Sequence, residues 1–197
     1  MFITFEGTEG CGKSTLIRNL SRKLEALGIP HLSTREPGGS PTAEKIRELI
    51  LNQEMAPLTE LFLYEAARAE HFQTSIAPAL KAGKWVLCDR FTDSTLAYQG
   101  TARGLSHSMI RSLNRYASEG TKPDLTFFLD LPVKTGLSRA SDPNRFEREG
   151  VTFQNQVRKG FLEIAKTDKK RFRVIRVSGL GPDAVCERVM KILRAHL

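Results

Sequence analysis

The sequence predicts a doubly wound α/β fold: a mainly parallel sheet with helices on both faces. Three observations carry this expectation. Short apolar, β-prone runs alternate with segments of helical spacing, the first run ends in a phosphate-binding loop, and a later run ends in a carboxylate. In such sheets ligands gather at the carboxyl ends of the strands, where both features fall.

The first strand is Phe2-Ile3-Thr4-Phe5, and it leads into Gly7-Thr8-Glu9-Gly10-Cys11-Gly12-Lys13-Ser14-Thr15. Residues 7–14 read G-x-x-x-x-G-K-S, and Leu16, Ile17, Leu20, Leu24 and Leu27 follow at helical spacing, so the order is strand, loop, helix. A polyphosphate needs many donors at close range, and a glycine-rich backbone turns its amides inward without Cβ atoms in the way. Gly7, Gly10 and Gly12 supply that room. The helix that starts near Lys13 aims its positive end at the same anion. Lys13 is placed to reach the β- and γ-phosphates of a nucleotide, and the Ser14 hydroxyl is placed to ligate Mg²⁺. The whole stretch from Gly7 through Thr15 is therefore the expected nucleotide-binding loop.

Gly28 and Pro30 stop the first helix, and residues 31–34 read as a second strand. Ser40 or Thr42 can cap the next helix, in which Ile46, Leu49 and Ile50 lie on a different face from Arg47. A longer helix is expected over residues 58–81, interrupted near Pro78, with Tyr64 and Arg68 one turn apart on one face. Residues 85–90 form a buried-type strand whose Asp89 has the place of a Walker-B acid. A further helical segment carries Ser94, Tyr98 and Gln99, and another spans residues 106–118. Residues 125–131 form a strand buried on both sides. Residues 138–150 are polar and charged, carry Arg139, Arg145 and Arg148, and read as a mobile segment. Phe153, Val157, Phe161 and Ile164 restore helical spacing, residues 173–177 form the last strand, and Asp183 can cap the last helix.

The 197 residues, 40% hydrophobic and 26% charged, suit one domain over residues 1–197 with a substantial core. No apolar run is long enough to span a membrane, and the first residues already form the phosphate-loop strand, so a cytoplasmic protein is expected. Cys11, Cys88 and Cys186 show neither a C-x-x-C spacing nor a paired His, which argues for free thiols over zinc or a disulfide framework. The net charge of +8 arises wholly from Lys134 onward, where 15 Lys and Arg face 7 Asp and Glu; the preceding part balances 15 against 15. The basic run at residues 169–173 lacks the aromatic interleaving of single-strand binders, and no nucleic-acid recognition signature is present, so no nucleic-acid partner is expected.

A phosphate loop alone specifies a nucleotide, not its use. Arg35-Glu36-Pro37-Gly38-Gly39, Tyr64-Glu65-Ala66-Ala67-Arg68 and the block from Asp89-Arg90 to Ala97-Tyr98-Gln99-Gly100 together resemble the thymidylate kinases, over essentially the whole chain and in the expected order. The resemblance implies a P-loop nucleoside-monophosphate kinase fold with a five-stranded parallel sheet, a lid at about residues 138–150, and a homodimer. It also implies Mg²⁺- and ATP-dependent phosphorylation of dTMP to dTDP in dTTP biosynthesis. By the same resemblance Tyr64 stacks on thymine where the family usually has Phe, Arg68 reaches a thymine carbonyl, and Gln99 pairs with the base edge. Arg35, Arg47 and Arg90 surround the acceptor phosphate and reacting centre, with Glu36, Pro37, Ser94 and Tyr98 also around dTMP. Glu9 touches the sugar region, and Asp89 meets Mg²⁺ together with Ser14. The family divides by where its catalytic arginine lies. Here Gly10 and Cys11 leave the loop without a cation, and Arg145-Phe146-Glu147 resembles the lid pattern of the second subgroup. Arg145, with Arg148 as second choice, is therefore expected over the γ-phosphate as a finger supplied in cis.

Blander readings stay open at single positions: Tyr64 as core packing, Gln99 as a helix-end hydrogen bonder, Arg47 as a surface residue, the lid arginines as a solvated loop. A kinase of another nucleoside monophosphate is the alternative activity. A GTP-binding switch would need an N/T-K-x-D sequence at a late strand end, and none occurs there.

Overall fold

The computed structural model describes residues 1–139 and 145–196. Strands β1 (Phe2–Glu6), β2 (His31–Arg35), β3 (Trp85–Asp89), β4 (Leu125–Asp130) and β5 (Phe172–Arg176) form one five-stranded sheet in the order β2-β3-β1-β4-β5. Every pairing is parallel. The chain leaves β1 toward one edge and later returns to its other side, so the topological switch point lies at the carboxyl end of β1, where the phosphate loop begins.

Helix α1 (Lys13–Ala26) follows the loop; α2 (Pro41–Asn52), α3 (Pro57–His71) and α4 (Ala77–Lys81) lie between β2 and β3. Next come α5 (Thr92–Thr95), α6 (His107–Ala117), α7 (Val133–Leu137), α8 (Arg145–Arg148), α9 (Gly150–Thr167) and α10 (Pro182–Leu193). The period-2 alternation of the strands divides the core. Ile3, Phe5, Phe127 and Leu129 pack on α1 and α10 through Leu16, Leu20, Leu24, Val185 and Val189. Phe128 turns to the opposite face and meets Phe161, Val157 and Tyr98. The centres of the Phe128 and Phe161 rings are 5.0 Å apart.

Two local expectations are corrected. The break expected near Pro78 comes earlier, as a π turn over Phe72–Ile76; Pro78 itself sits in the first turn of α4, where its missing N–H is tolerated. Asp183 lies in the first turn of α10 behind the cap position Gly181 and makes no capping bond, so it acts on the helix dipole only. Ser40 and Ser106 do cap α2 and α6, accepting from the amides of Ala43 and Met109.

A second π turn, Leu96–Ala102, follows α5 and carries Tyr98 and Gln99. It packs so closely on α9 that a Cβ at Gly160 would come within 2.8 Å of Thr101 Oγ1 and 3.0 Å of Ala97 Cα. The basic run at residues 169–173 is not wholly solvated. Arg171 donates to both oxygens of buried Asp93 at 2.6 and 2.9 Å. All three cysteines are free and buried, and no described helix is long and apolar enough to cross a membrane.

Candidate active site

The phosphate loop is held against α7: a Cβ on Gly10, whose φ is +68°, would lie 2.1 Å from the Gly136 carbonyl oxygen. Gly12 is the cap of α1 with φ 97°, so the first amides of that helix open toward the loop. Lys13 folds back over the loop, its Nζ donating to the carbonyls of Gly7 at 3.3 Å and Thr8 at 3.4 Å. Cys11 fills the turn beneath. Burial pushes its thiol up despite the neighbouring Lys13, so Cys11 acts as a small residue that fits the turn and not as a reactive thiol.

Pairing of Phe5 with Asp89 brings the end of β3 beside the loop. Ser14 Oγ donates to Asp89 Oδ2 at 3.2 Å, and Asp89 Oδ1 is buried with no hydrogen-bond partner among the described residues. Two hard oxygens, one of them unsatisfied, suit a Mg²⁺ ion that takes its other ligands from water and phosphate. No group of three or more His, Cys, Asp or Glu among the described residues forms a complete cage.

Arg90 takes a left-handed φ of 68°, a conformation uncommon outside glycine and characteristic of functional turns. Its Nη1 donates to the Gly7 carbonyl at 2.9 Å and its Nη2 to Glu9 at 2.6 Å, and its guanidinium lies 5.0 Å from the centre of the Tyr98 ring. Tyr98 Oη donates to the same Glu9 oxygen at 3.2 Å. Burial alone would raise the Glu9 carboxyl, but Arg90 and Lys13 hold it below the usual range.

A cavity of about 380 Å³ contains the loop, Arg35, Glu36, Arg47, Asp89 and Arg90. A second cavity is lined by Pro37, Leu51, Tyr64, Ser94, Tyr98, Gln99 and Phe146, and it shares Glu9, Glu36, Arg47 and Arg90 with the first. A donor-rich chamber lined by Lys13 and three arginines therefore meets an aromatic one at Arg90. The thymidylate kinase family model matches residues 5–188. The chain belongs to the thymidylate kinase family. It is 49% identical to the thymidylate kinase of Citrifermentans bemidjiense, with all of this chain and 96% of that one covered. It is 50% identical to that of Geotalea uraniireducens, over 88% of this chain and 87% of that one. The crystal structure of thymidylate kinase from Ehrlichia chaffeensis superposes with a TM-score of 0.83 at 36% identity, covering 98% of each chain. A member of this family is a nucleoside-monophosphate kinase, a phosphotransferase.

Within this thymidylate kinase frame two expected side chains lie elsewhere. Arg68 does not line the aromatic chamber. It is 2% exposed and donates to Glu36 at 2.8 Å, Glu65 at 3.0 Å and Asn114 at 2.5 Å, because two buried carboxylates, Glu36 just after β2 and Glu65 on α3, demand a counter-charge. Arg145 does not line the phosphate cavity. It is 6% exposed, with Nη2 donating to Glu60 at 2.5 Å and Nε to the Ile50 carbonyl at 3.1 Å, while Phe146 beside it enters the aromatic cluster. Of the expected lid, residues 140–144 lie outside the described residues. Arg139 touches the loop, its Nη1 donating to the Gly10 carbonyl at 3.1 Å, and Arg148 ends α8 with an exposed side chain. Arg35 pairs with Glu44 at 2.9 Å, and Arg47 donates to the Pro37 carbonyl at 2.8 Å.

Two carboxyls of the site were missed. Glu60 stands one turn before Tyr64 on α3, a spacing that places it on the same face as Tyr64. Glu6 closes an apolar strand that is buried throughout, so its carboxyl has no route to water. Its oxygens lie 2.9 Å from the Phe91 amide and 2.5 Å from Ser94 Oγ, and burial with Asp93 nearby pushes it up to about 8. The folded state therefore keeps a proton that an unfolded Glu releases near 4.5. This contribution to stability is full below that value and is lost as pH rises through about 8. Glu6→Gln, permanently neutral and able to satisfy both neighbours, is expected to flatten the fall of Tm between about pH 4.5 and pH 8. Identical pH slopes for variant and parent would show that Glu6 does not hold that proton.

Proposed function

We infer that the chain transfers the γ-phosphoryl group of ATP to the phosphate of dTMP, giving ADP and dTDP. The observation that carries this is the shared wall of Glu9, Glu36, Arg47 and Arg90, through which the phosphate loop and the aromatic chamber open onto one another. The phosphate ends of two nucleotides, one gripped by loop amides and one with its base beside Tyr64, would meet there.

A nonbridging oxygen of dTMP attacks the γ-phosphorus in line, the bond from the γ-phosphorus to the bridging oxygen breaks, and the electron pair leaves with ADP. That acceptor oxygen is already anionic near neutral pH, so Asp89 need not act as a general base. The work of the protein is positioning and charge neutralisation. Lys13 and the loop amides hold the ATP phosphates; Arg90 and Arg47 hold the acceptor phosphate; Glu9 with Tyr98 borders the sugar; Tyr64 and Gln99 face the base. Ser14 and Asp89 would hold Mg²⁺, which when bound neutralises phosphate charge.

Arg139 and Arg90 are better placed than Arg145 to meet charge on the moving group. Arg139→Ala at saturating ATP and dTMP is expected to lower kcat about tenfold or more with nucleotide dissociation constants little changed, whereas Arg145→Ala is expected to act through stability and dTMP KM. A tenfold kcat loss confined to Arg145→Ala would return the finger to that residue.

The reading includes a homodimer and a cytoplasmic location. Leu58 and Phe62, about one turn apart on α3, are 43% and 52% exposed, which supports a covering subunit. Three unpaired thiols accord with a reducing compartment. With ATP labelled at the γ-phosphate and excess dTMP, label should pass into dTDP one for one with ADP formed; release of the label as inorganic phosphate at the same rate would refute the transfer.

A further inference from the structure

Glu60 is fully buried on α3, where a carboxylate needs every lone pair accounted for. Its Oε2 accepts from Arg145 Nη2 at 2.5 Å and from Arg103 Nη2 at 3.3 Å. Its Oε1 accepts from Arg103 Nε at 3.3 Å and from Gln99 Nε2 at 2.8 Å. A carboxylate between two guanidinium groups can only accept, so the NH₂ end of the Gln99 amide must face Glu60. Gln99 also lines the aromatic chamber with Tyr64 and Phe146, and its side-chain oxygen, unlike its backbone carbonyl, takes no hydrogen bond from the described residues.

We propose that Glu60 is a positioning residue that fixes the Gln99 amide with its carbonyl toward the base, and thereby selects a pyrimidine that carries a ring N–H. Thymine presents such a donor at N3. Cytosine presents a lone pair at the same place, so its complex would set two acceptors against each other. Arg145, supplied by α8, completes the carboxylate's charge and ties the end of the lid segment to base selection. This rests on the reading of the chain as a dTMP kinase, and wild-type turnover of dTMP tests that reading by itself.

The experiment compares kcat/KM for dTMP and dCMP. In Glu60→Gln the new amide can donate to the Gln99 carbonyl and let Gln99 reverse, so the dTMP-to-dCMP ratio is expected to fall by about tenfold or more, through dTMP KM, with ATP KM unchanged. In the double variant Glu60→Gln/Gln99→Glu an acceptor again faces the chamber, and the preference for dTMP is expected to return. General loosening of the fold would not restore it. A ratio in Glu60→Gln within threefold of wild type overturns the proposal, as does a double variant with no preference for dTMP. If Glu60→Gln fails to fold, the double variant, which keeps one negative charge at the Glu60–Gln99 contact, decides alone. If neither folds, solvent exchange of the Gln99 side-chain NH₂ protons in the wild-type protein decides: slow exchange, with or without dTMP, is expected, and fast exchange overturns the assignment.

Discussion

Replacing Lys13 with alanine is expected to lower kcat/KM for ATP by about 10²–10³-fold, or ~2.7–4 kcal/mol of transition-state stabilisation, and to leave the fold unchanged. Its Nζ touches the loop carbonyls at 3.3 and 3.4 Å and sits outside the hydrophobic core. Those carbonyls accept it only until a polyphosphate offers a stronger, charged acceptor. Steady-state kinetics with a thermal melt checks both halves. Near-normal turnover would remove the phosphate-loop assignment, and a collapsed melt would make Lys13 structural.

The second large effect is on stability. Arg68→Met should cost about 3–5 kcal/mol in urea unfolding, since it leaves Glu36 and Glu65 buried without their counter-charge. Glu65 already has one oxygen without a hydrogen-bond partner among the described residues. Neutralising the pair as well, in Arg68→Met/Glu36→Gln/Glu65→Gln, should recover much of the loss, because removing a whole buried ionic network is far less damaging than removing one member. A loss below about 1 kcal/mol with a large rise in dTMP KM would instead restore Arg68 to the thymine carbonyl.

Arg68 and Arg145 show where reading the chain reached its end. The loop from Gly7 to Thr15, the acid at the end of β3 and the helical face of Tyr64 are local patterns, each written within a few residues, and their placement follows from strand and helix periods. The parallel, doubly wound sheet also follows from βα alternation, whereas the order of its strands is set by the tertiary fold. What a guanidinium pairs with does not. Glu36 lies 32 residues before Arg68, and Glu60 lies 85 before Arg145. Each arginine had an attractive ligand to be assigned to, and each is claimed by a buried carboxylate that only the tertiary fold brings near. Glu6 belongs to the same class: its place at the end of an apolar strand is visible, but its contact with Ser94, 88 residues on, is not.

The aromatic chamber is expected to choose dTMP and the phosphate loop to supply the donor that phosphorylates it. The most direct test is turnover of the purified chain with ATP, Mg²⁺ and dTMP, dUMP, CMP, AMP or GMP in parallel. A kcat/KM for dTMP on the order of 10²-fold or more above CMP, AMP and GMP is expected. A purine monophosphate or CMP used as well as dTMP would contradict the account.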